Sequence, residues 1–283
     1  MVTYHPNAPT LENIKLILPR VDAIVVVDNG SDAHELSPLQ RASRETGFHL
    51  IENNENLGVA EALNQGVKWA KSQGYSWVVL FDQDSTITDH FIEHMFTTLE
   101  SHPQRELVAS IHPRYVDRNT GAEPAIQRAK DGGPITSMTS GSLMPTWIFD
   151  KIGYFASEFF IDCVDHEYCF RLRAAGFYIA DSREAVLLHS PGNAAAITNV
   201  LGFRFRPTHH SALRRYYISR NRVVVYRKYI FVFPAWVLQY IYVTLRETVK
   251  CFLGERDRAR KLRYFLLGTW DGLIGKTGRR EGL

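Results

Sequence analysis

The chain has 283 residues, 45% hydrophobic and 12% aromatic, which is enough to bury a core and too apolar for a disordered protein. Its net charge of +3 hides a split: residues 1–200 hold 15 Lys/Arg against 25 Asp/Glu, and residues 201–283 hold 18 against 5. Three cysteines, Cys163, Cys169 and Cys251, make no paired framework and lack zinc-finger spacing, so a reducing compartment is expected, and no signal-peptide pattern is visible.

Residues 23–27 (AIVVV) predict a short strand, closed by the turn-forming run Asp28-Asn29-Gly30-Ser31-Asp32. Residues 48–51 predict a second strand, and 59–72 a helix in which Ala60, Leu63, Val67 and Ala70 recur at helical spacing before Gly74. Residues 77–81 (WVVLF) form another apolar strand, ending in Asp82-Gln83-Asp84-Ser85. A helix over 90–100 and a strand over 107–111 follow. After Asp131-Gly132-Gly133-Pro134 the pattern is less regular, with a helix expected over 165–175 and a short strand over 186–188. From about residue 209 the chain is helical, basic and aromatic, which places a boundary near 200.

Short apolar strands alternating with helices imply an α/β fold, with a mostly parallel sheet covered on both faces. Ligands of such sheets bind beyond the carboxyl ends of the strands. Asp28 and the Asp82/Asp84 pair both fall there. Two carboxylates on a strand-end turn can share one hard cation, Mg²⁺ or Mn²⁺, though acids in that place also cap helices. Asp28 suits a ribose or base, or equally an Asx turn. Asp162, Asp165, His166 and Glu167 form the densest titratable cluster, suited to a general base or to capping the helix they open. His189 can complete a metal site begun by carboxylates, although a lone histidine is more often structural. His209-His210 reads as solvated or membrane-facing.

The ordered segments VTYHPN (2–7), VVVDNGSD (25–32), NENLGVAEALNQG (54–66), FDQDS (81–85), SGSLM (140–144), FFIDCVDHEYCFRL (159–172) and LHSPG (188–192) together resemble the family 2 glycosyltransferases of GT-A fold. Among these the sequence is most similar to bacterial rhamnosyltransferases of polysaccharide assembly, and Arg220-Asn221 with Arg227-Lys228-Tyr229 also resembles that family's C-terminal pattern. The resemblance implies that residues 1–200 are the catalytic domain. Thr3, Tyr4 and Asp28 would line the base and ribose pocket, with Asn56, Gly58 and Asn64 shaping the loop and helix beside the nucleoside. Asp82, Gln83 and Asp84 match the metal and diphosphate motif, Asp84 being the more direct ligand, and His189 matches a histidine facing the metal. Ser140, Gly141 and Ser142 match the segment flanking the acceptor, near Asp162. Asp165 matches the catalytic base; Val164 stands where the family usually has a glutamate, which leaves Asp162 and Glu167 open as bases. The implied reaction is inverting, metal-dependent transfer, most closely of L-rhamnose from dTDP-L-rhamnose to a lipid-linked glycan; a UDP-hexose donor and a non-catalytic adaptor are the alternatives.

The segment 229–245 (YIFVFPAWVLQYIYVTL) is 17 residues without a charge, interrupted by Pro234 and Gln239 and bracketed by arginines and lysines. That is short of a membrane span. It suits a helix lying on an anionic membrane surface, on the cytoplasmic face, with packing in a homo-oligomer as the alternative. Nucleic acid is not expected, because the apolar run is continuous rather than interleaved with basic residues.

Overall fold

A computed structural model describes residues 1–189, 198–200, 203–205, 210–255 and 257–280. The chain forms two compact units: Met1–Ser157 with Val164–Ser190, and Glu158–Cys163 with Pro191–Leu283. Ser190-Pro191-Gly192 and His209, singled out above, lie outside the described residues.

The first unit begins with β1 (Val2–Thr3), α1 (Ala8–Ile17), β2 (Val25–Asp28), α2 (Ala33–Thr46), β3 (His49–Glu52) and α3 (Val59–Ser72). Asn7 caps α1, its side chain accepting the Thr10 N–H. Gly58, at φ 88°, opens α3, whose Ala60, Leu63, Val67 and Ala70 are buried as the spacing predicts. The strands β1, β2 and β3 are parallel. Then come β4 (Trp77–Val79), β5 (Thr86–Ile87), α4 (Phe91–Ser101), β6 (Val108–Asp117), β7 (Leu143–Pro145), α5 (Ile148–Ile152), α6 (Val164–Ala174) and β8 (Tyr178–His189).

The second sheet has the order β4-β7-β6-β8-β5. It is mixed rather than parallel throughout: β6 and β8 are parallel, β7 runs antiparallel to β4 and β6, and β5 antiparallel to β8. A bridge between Val2 and Asp82 sets β1 beside β4 and joins the two sheets. The core between sheet and helices includes Val26, Leu39, Phe91, Met95, Ile111 and Leu187.

The second unit holds the hairpin β9 (Thr198–Val200) and β10 (Phe203–Phe205), then α7 (Ala212–Tyr229), α8 (Pro234–Gly254) and α9 (Arg258–Leu273). α9 lies directly on α7 at two glycines. A Cβ on Gly268 would stand 2.3 Å from the Tyr216 carbonyl oxygen, and one on Gly272 would stand 2.6 Å from that of Arg220. Tyr216 seals the contact by donating to Asp271 at 2.7 Å. The apolar run 229–245 is not one helix. It straddles the break between α7 and α8, because Pro234 lacks an N–H and sits in the first turn of α8. Among the described residues no helix is long and apolar enough to cross a membrane.

Several tail cations are internal rather than free. Arg220 is fully buried, and Arg215 and Lys261 both bind the buried Glu255, at 2.8 and 2.6 Å. Burial alone pushes the Glu255 carboxyl up, but the Lys261 ammonium and the Arg215 guanidinium overcome it and hold it down at about 2. A depressed carboxyl contributes stability that is complete above its ordinary value near 4.5 and lost as pH falls toward 2. Thermal unfolding followed through that window is expected to fall more steeply for the native protein than for Glu255→Gln. At neutral pH that variant, with cations left unpaired, is expected to be less stable by about 3–5 kcal/mol.

Candidate active site

The strand ends of the first unit carry the polar residues. At the end of β2, Asp28 is buried, and its carboxylate accepts the Thr3 hydroxyl at 3.0 Å, the Ser31 N–H at 2.9 Å and the Ser31 hydroxyl at 2.6 Å. Two bonds from its own loop and one from β1 leave it little acceptor capacity for a ligand. Thr3 is likewise buried, so this pair forms the support of a pocket rather than its surface. Tyr4 is different: 43% exposed, it keeps its ring outside while its N–H donates to the Gln83 side chain at 2.8 Å. Asn29 donates to Asn56 and accepts the Leu57 N–H, and Asn56 accepts the Gly58 N–H at 2.9 Å, so an amide lattice fixes the loop that enters α3. Gly30, at φ 86°, is required there, since a Cβ would stand 2.5 Å from the Glu55 backbone.

Asn64 faces inward, not toward a nucleoside. Its amide donates to the Phe155 carbonyl at 2.9 Å and accepts the Phe155 N–H at 2.9 Å, closing a bidentate staple across the unit. Ser140, Gly141 and Ser142 also differ from surface acceptor residues. Ser140 and Ser142 are 2% and 1% exposed. The Ser140 hydroxyl accepts the Asp82 N–H at 3.0 Å and shares a hydrogen bond with Ser85 at 2.8 Å. Ser142 accepts the Leu80 N–H through its carbonyl at 3.1 Å, and Gly141, at φ 79°, is wedged against Pro113. These residues hold the Asp82–Ser85 turn from beneath.

That turn is the acidic corner. Beyond it β5 pairs with β8 through Thr86↔Leu188, which brings Asp84 to His189, 3.8 Å from carboxylate to Nδ1. Among the described residues the Nδ1 of His189 is buried and has no hydrogen-bond partner. An unpaired buried imidazole nitrogen is costly unless a ligand completes it. Asp82 is half-buried, and its carboxyl is pushed up to about 6, first by burial, then by Asp84, with Asp165 adding to the repulsion and His189 opposing it. Two carboxylates and one imidazole nitrogen are a donor set for Mg²⁺ or Mn²⁺, so the residues present fit a divalent cation. A tighter convergence, His5, Asp32 and Glu35, lies on the surface, where His5 already pairs with Glu35.

The three acids near the start of α6 separate cleanly. Glu167 is buried and held by Arg171 through three hydrogen bonds, the shortest 2.8 Å. Asp162 belongs to the second unit and pairs with Arg214 at 3.3 Å. Asp165 is half-buried, accepts the His166 N–H at 2.8 Å, and lines a small cavity with Ser110, His112 and Ser142. Of the three, Asp165 has a carboxylate not committed to an arginine and acts electrostatically on Asp82.

Sequence reasoning missed His112 of β6, whose Nδ1–H donates to the Met138 carbonyl at 3.0 Å while Nε2 accepts from Ser110 at 2.9 Å. Burial pushes its imidazole down to about 4, so it stays neutral beside Asp165. The signal was a single polar ring in the apolar run before Pro113. Cys169 is buried and its thiol is raised to about 12, which removes it as a nucleophile. Replacing Asn64 with Ala leaves the Phe155 N–H and carbonyl without partners. Chemical denaturation is expected to show a loss of about 1–3 kcal/mol, and native stability in that variant would contradict the staple.

Three comparisons place this geometry. Residues 3–160 match the family model "Glycosyl transferase family 2". Over 98% of this chain and 95% of the relative, the sequence is 26% identical to the dTDP-rhamnosyl transferase RfbF of Shigella flexneri. Two solved structures share the fold. The mannosyltransferase PcManGT of Pyrobaculum calidifontis, in complex with GDP-Man and Mn²⁺, is 14% identical with TM-score 0.58 over 97% of this chain and 86% of that one. GalNAc-T7 with UDP, GalNAc and Mn²⁺ is 11% identical with TM-score 0.62 over 96% and 55%. The chain is a glycosyltransferase of GT-A fold and belongs to glycosyl transferase family 2.

Proposed function

We propose that this enzyme is an inverting, metal-dependent rhamnosyltransferase that moves L-rhamnose from dTDP-L-rhamnose to a hydroxyl of a lipid-linked glycan in cell-surface polysaccharide synthesis. The observation that carries the donor assignment is similarity along almost the whole chain to a dTDP-rhamnosyl transferase. The polar corner at the strand ends supplies matching chemistry.

Tyr4 offers its exposed ring to the base, above a floor set by Thr3 and Asp28. The loop of Asn56 and Gly58 walls the nucleoside. Asp82, Asp84 and His189 would hold the cation, with Gln83 fixed by the Tyr4 N–H and the Asn13 amide. A bound divalent cation would neutralise charge on the departing nucleoside diphosphate. Asp165 takes the proton from the acceptor hydroxyl as that oxygen attacks the anomeric carbon. Attack opposite the leaving group inverts the centre, so a β-linked donor yields an α-rhamnoside. His112, neutral and buried, stabilises the polar surroundings of Asp165 without competing for the proton.

The second unit provides the membrane contact in this reading. α8 exposes Leu238, Tyr242, Leu245 and Val249 at helical spacing, and Phe231 just before it is 95% exposed. Arg246 on α8 and Arg258, Arg260 and Arg263 on α9 are exposed. An apolar stripe with cations suits the cytoplasmic surface of an anionic membrane, where each such cation contributes about 1 kcal/mol.

A panel of dTDP-rhamnose, UDP-glucose, UDP-galactose and UDP-GlcNAc with Mn²⁺ or Mg²⁺ tests the donor: turnover is expected with dTDP-rhamnose and lost in EDTA, and preference for a UDP-hexose would overturn the assignment. Asp165→Asn is expected to lower kcat by about 10²–10⁴-fold while retaining donor binding and native stability. Deleting 229–283 would strip α9 from α7, so point changes serve better for the membrane contact. Phe231→Ser with Leu238→Ser and Tyr242→Ser is expected to abolish sedimentation with vesicles containing anionic lipid, and unchanged sedimentation would sink the membrane role.

A further inference from the structure

The acidic turn closes only weakly on itself. Its Ser85 N–H reaches the Asp82 carbonyl at 3.4 Å, at the long end of a hydrogen bond. The carboxylate of Asp84 is 54% exposed and stands 3.8 Å from His189. What fixes the turn therefore comes from outside it. Ser140 takes the Asp82 N–H and the Ser85 hydroxyl from one side. A second set of bonds comes from α1.

The buried stripe of α1 is Thr10, Asn13, Ile14 and Ile17, the i, i+3, i+4, i+7 spacing of a helix face turned to the core. Thr10 serves the Asn7 cap, whereas Asn13 has no part in capping and is still only 7% exposed. A buried amide is costly unless both its ends are bonded. Nδ2 of Asn13 donates to the Gln83 carbonyl at 2.9 Å, and Oδ1 accepts the Thr86 hydroxyl at 2.7 Å. The direction of these bonds is forced. A carbonyl can only accept, so the amide nitrogen must face Gln83 and the amide oxygen Thr86. The Thr86 hydroxyl then donates to Asn13, which leaves its lone pairs for the guanidinium of Arg118. Arg118 is in turn anchored by its N–H to the His189 carbonyl at 3.0 Å.

We propose that Asn13 is a positioning residue for the cation: it clamps Gln83 and Thr86, on either side of Asp84, and so sets how tightly a divalent metal binds. The inference rests on the reading that Asp82, Asp84 and His189 hold that metal. One amide spans the turn across Asp84, so its two bonds hold the backbone from which that carboxylate projects. Through Thr86 and Arg118 the same chain of hydrogen bonds continues to the backbone of His189. Donors ordered before the cation arrives lose less binding energy to being ordered by it. Alanine at position 13 could bridge neither partner, and aspartate could accept from Thr86 but not donate to Gln83.

Manganese titrations of the full chain test this, with free Mn²⁺ read by electron paramagnetic resonance and folding by the thermal midpoint. Asn13→Ala and Thr86→Val are expected to weaken Mn²⁺ binding by about 10–100-fold at a temperature where both are folded. Thr86→Ser, which keeps the hydroxyl, is expected to bind as the native chain does. Thr86→Val keeps the shape of the side chain, so it decides the matter should Asn13→Ala not fold. Native affinity in either folded variant, or an equal loss in Thr86→Ser, would overturn the role of Asn13 and leave the metal reading standing. Asp84→Ala, expected to abolish binding, marks the site being titrated. If the native chain binds no Mn²⁺, or Asp84→Ala binds it as well, the metal reading itself fails and this inference with it.

Discussion

One buried hydroxyl, that of Ser140, holds the corner on which the proposed chemistry depends. It fixes the Asp82 N–H and the Ser85 hydroxyl at once, while Val2 ties the Phe81 carbonyl from the other side. The turn between β4 and β5 is therefore rigid before any ligand arrives. Such rigidity is needed because the corner gathers like charges: Asp82 is pushed up to about 6 first by burial and then by the repulsion of Asp84 and Asp165. Without the staple the acids would relax apart into water. With it, they and the His189 nitrogen, unpartnered among the described residues, form the donor set proposed for a cation.

Much of this was legible in the sequence. Residues 59–72 predict α3 to the residue, because the helix buries one clean apolar stripe between Gly58 and its C-terminal end. The acids at 28, 82 and 84 fall at strand ends because apolar runs stop there. Other parts were hidden for physical reasons. α2 buries only Leu39 and carries Pro38 inside, so neither periodicity nor propensity reveals it. β8 spans twelve residues rather than three, since its polar members Asp181, Arg183 and Glu184 interrupt the apolar signal while the ladder to β6 continues past them. The roles of Asn64 and Ser140 were hidden too, because their partners lie 91 and 58 positions away. The choice among Asp162, Asp165 and Glu167 needed the arginines that neutralise two of them.

The opening charge split also changes meaning in three dimensions. A block of positive residues suggests a uniform basic surface, yet Arg215, Arg220 and Lys261 are spent inside the helical unit, binding a carboxylate or backbone carbonyls. Of the cations left outside, Arg246 lies on α8 and Arg258, Arg260 and Arg263 on α9. The proposed membrane contact is thus narrower than composition implies, resting on one helix face and its neighbours. In the first unit three acids, Asp82, Asp84 and Asp165, stand close enough to act on one another.

Anomalous diffraction from crystals grown with Mn²⁺ and dTDP is the most direct test of this account. It predicts a manganese peak between the carboxylate of Asp84 and Nδ1 of His189, with the diphosphate against it and the thymine beside Tyr4. Manganese bound instead at His5 and Glu35, or a nucleotide seated away from the β4–β5 turn, would contradict it.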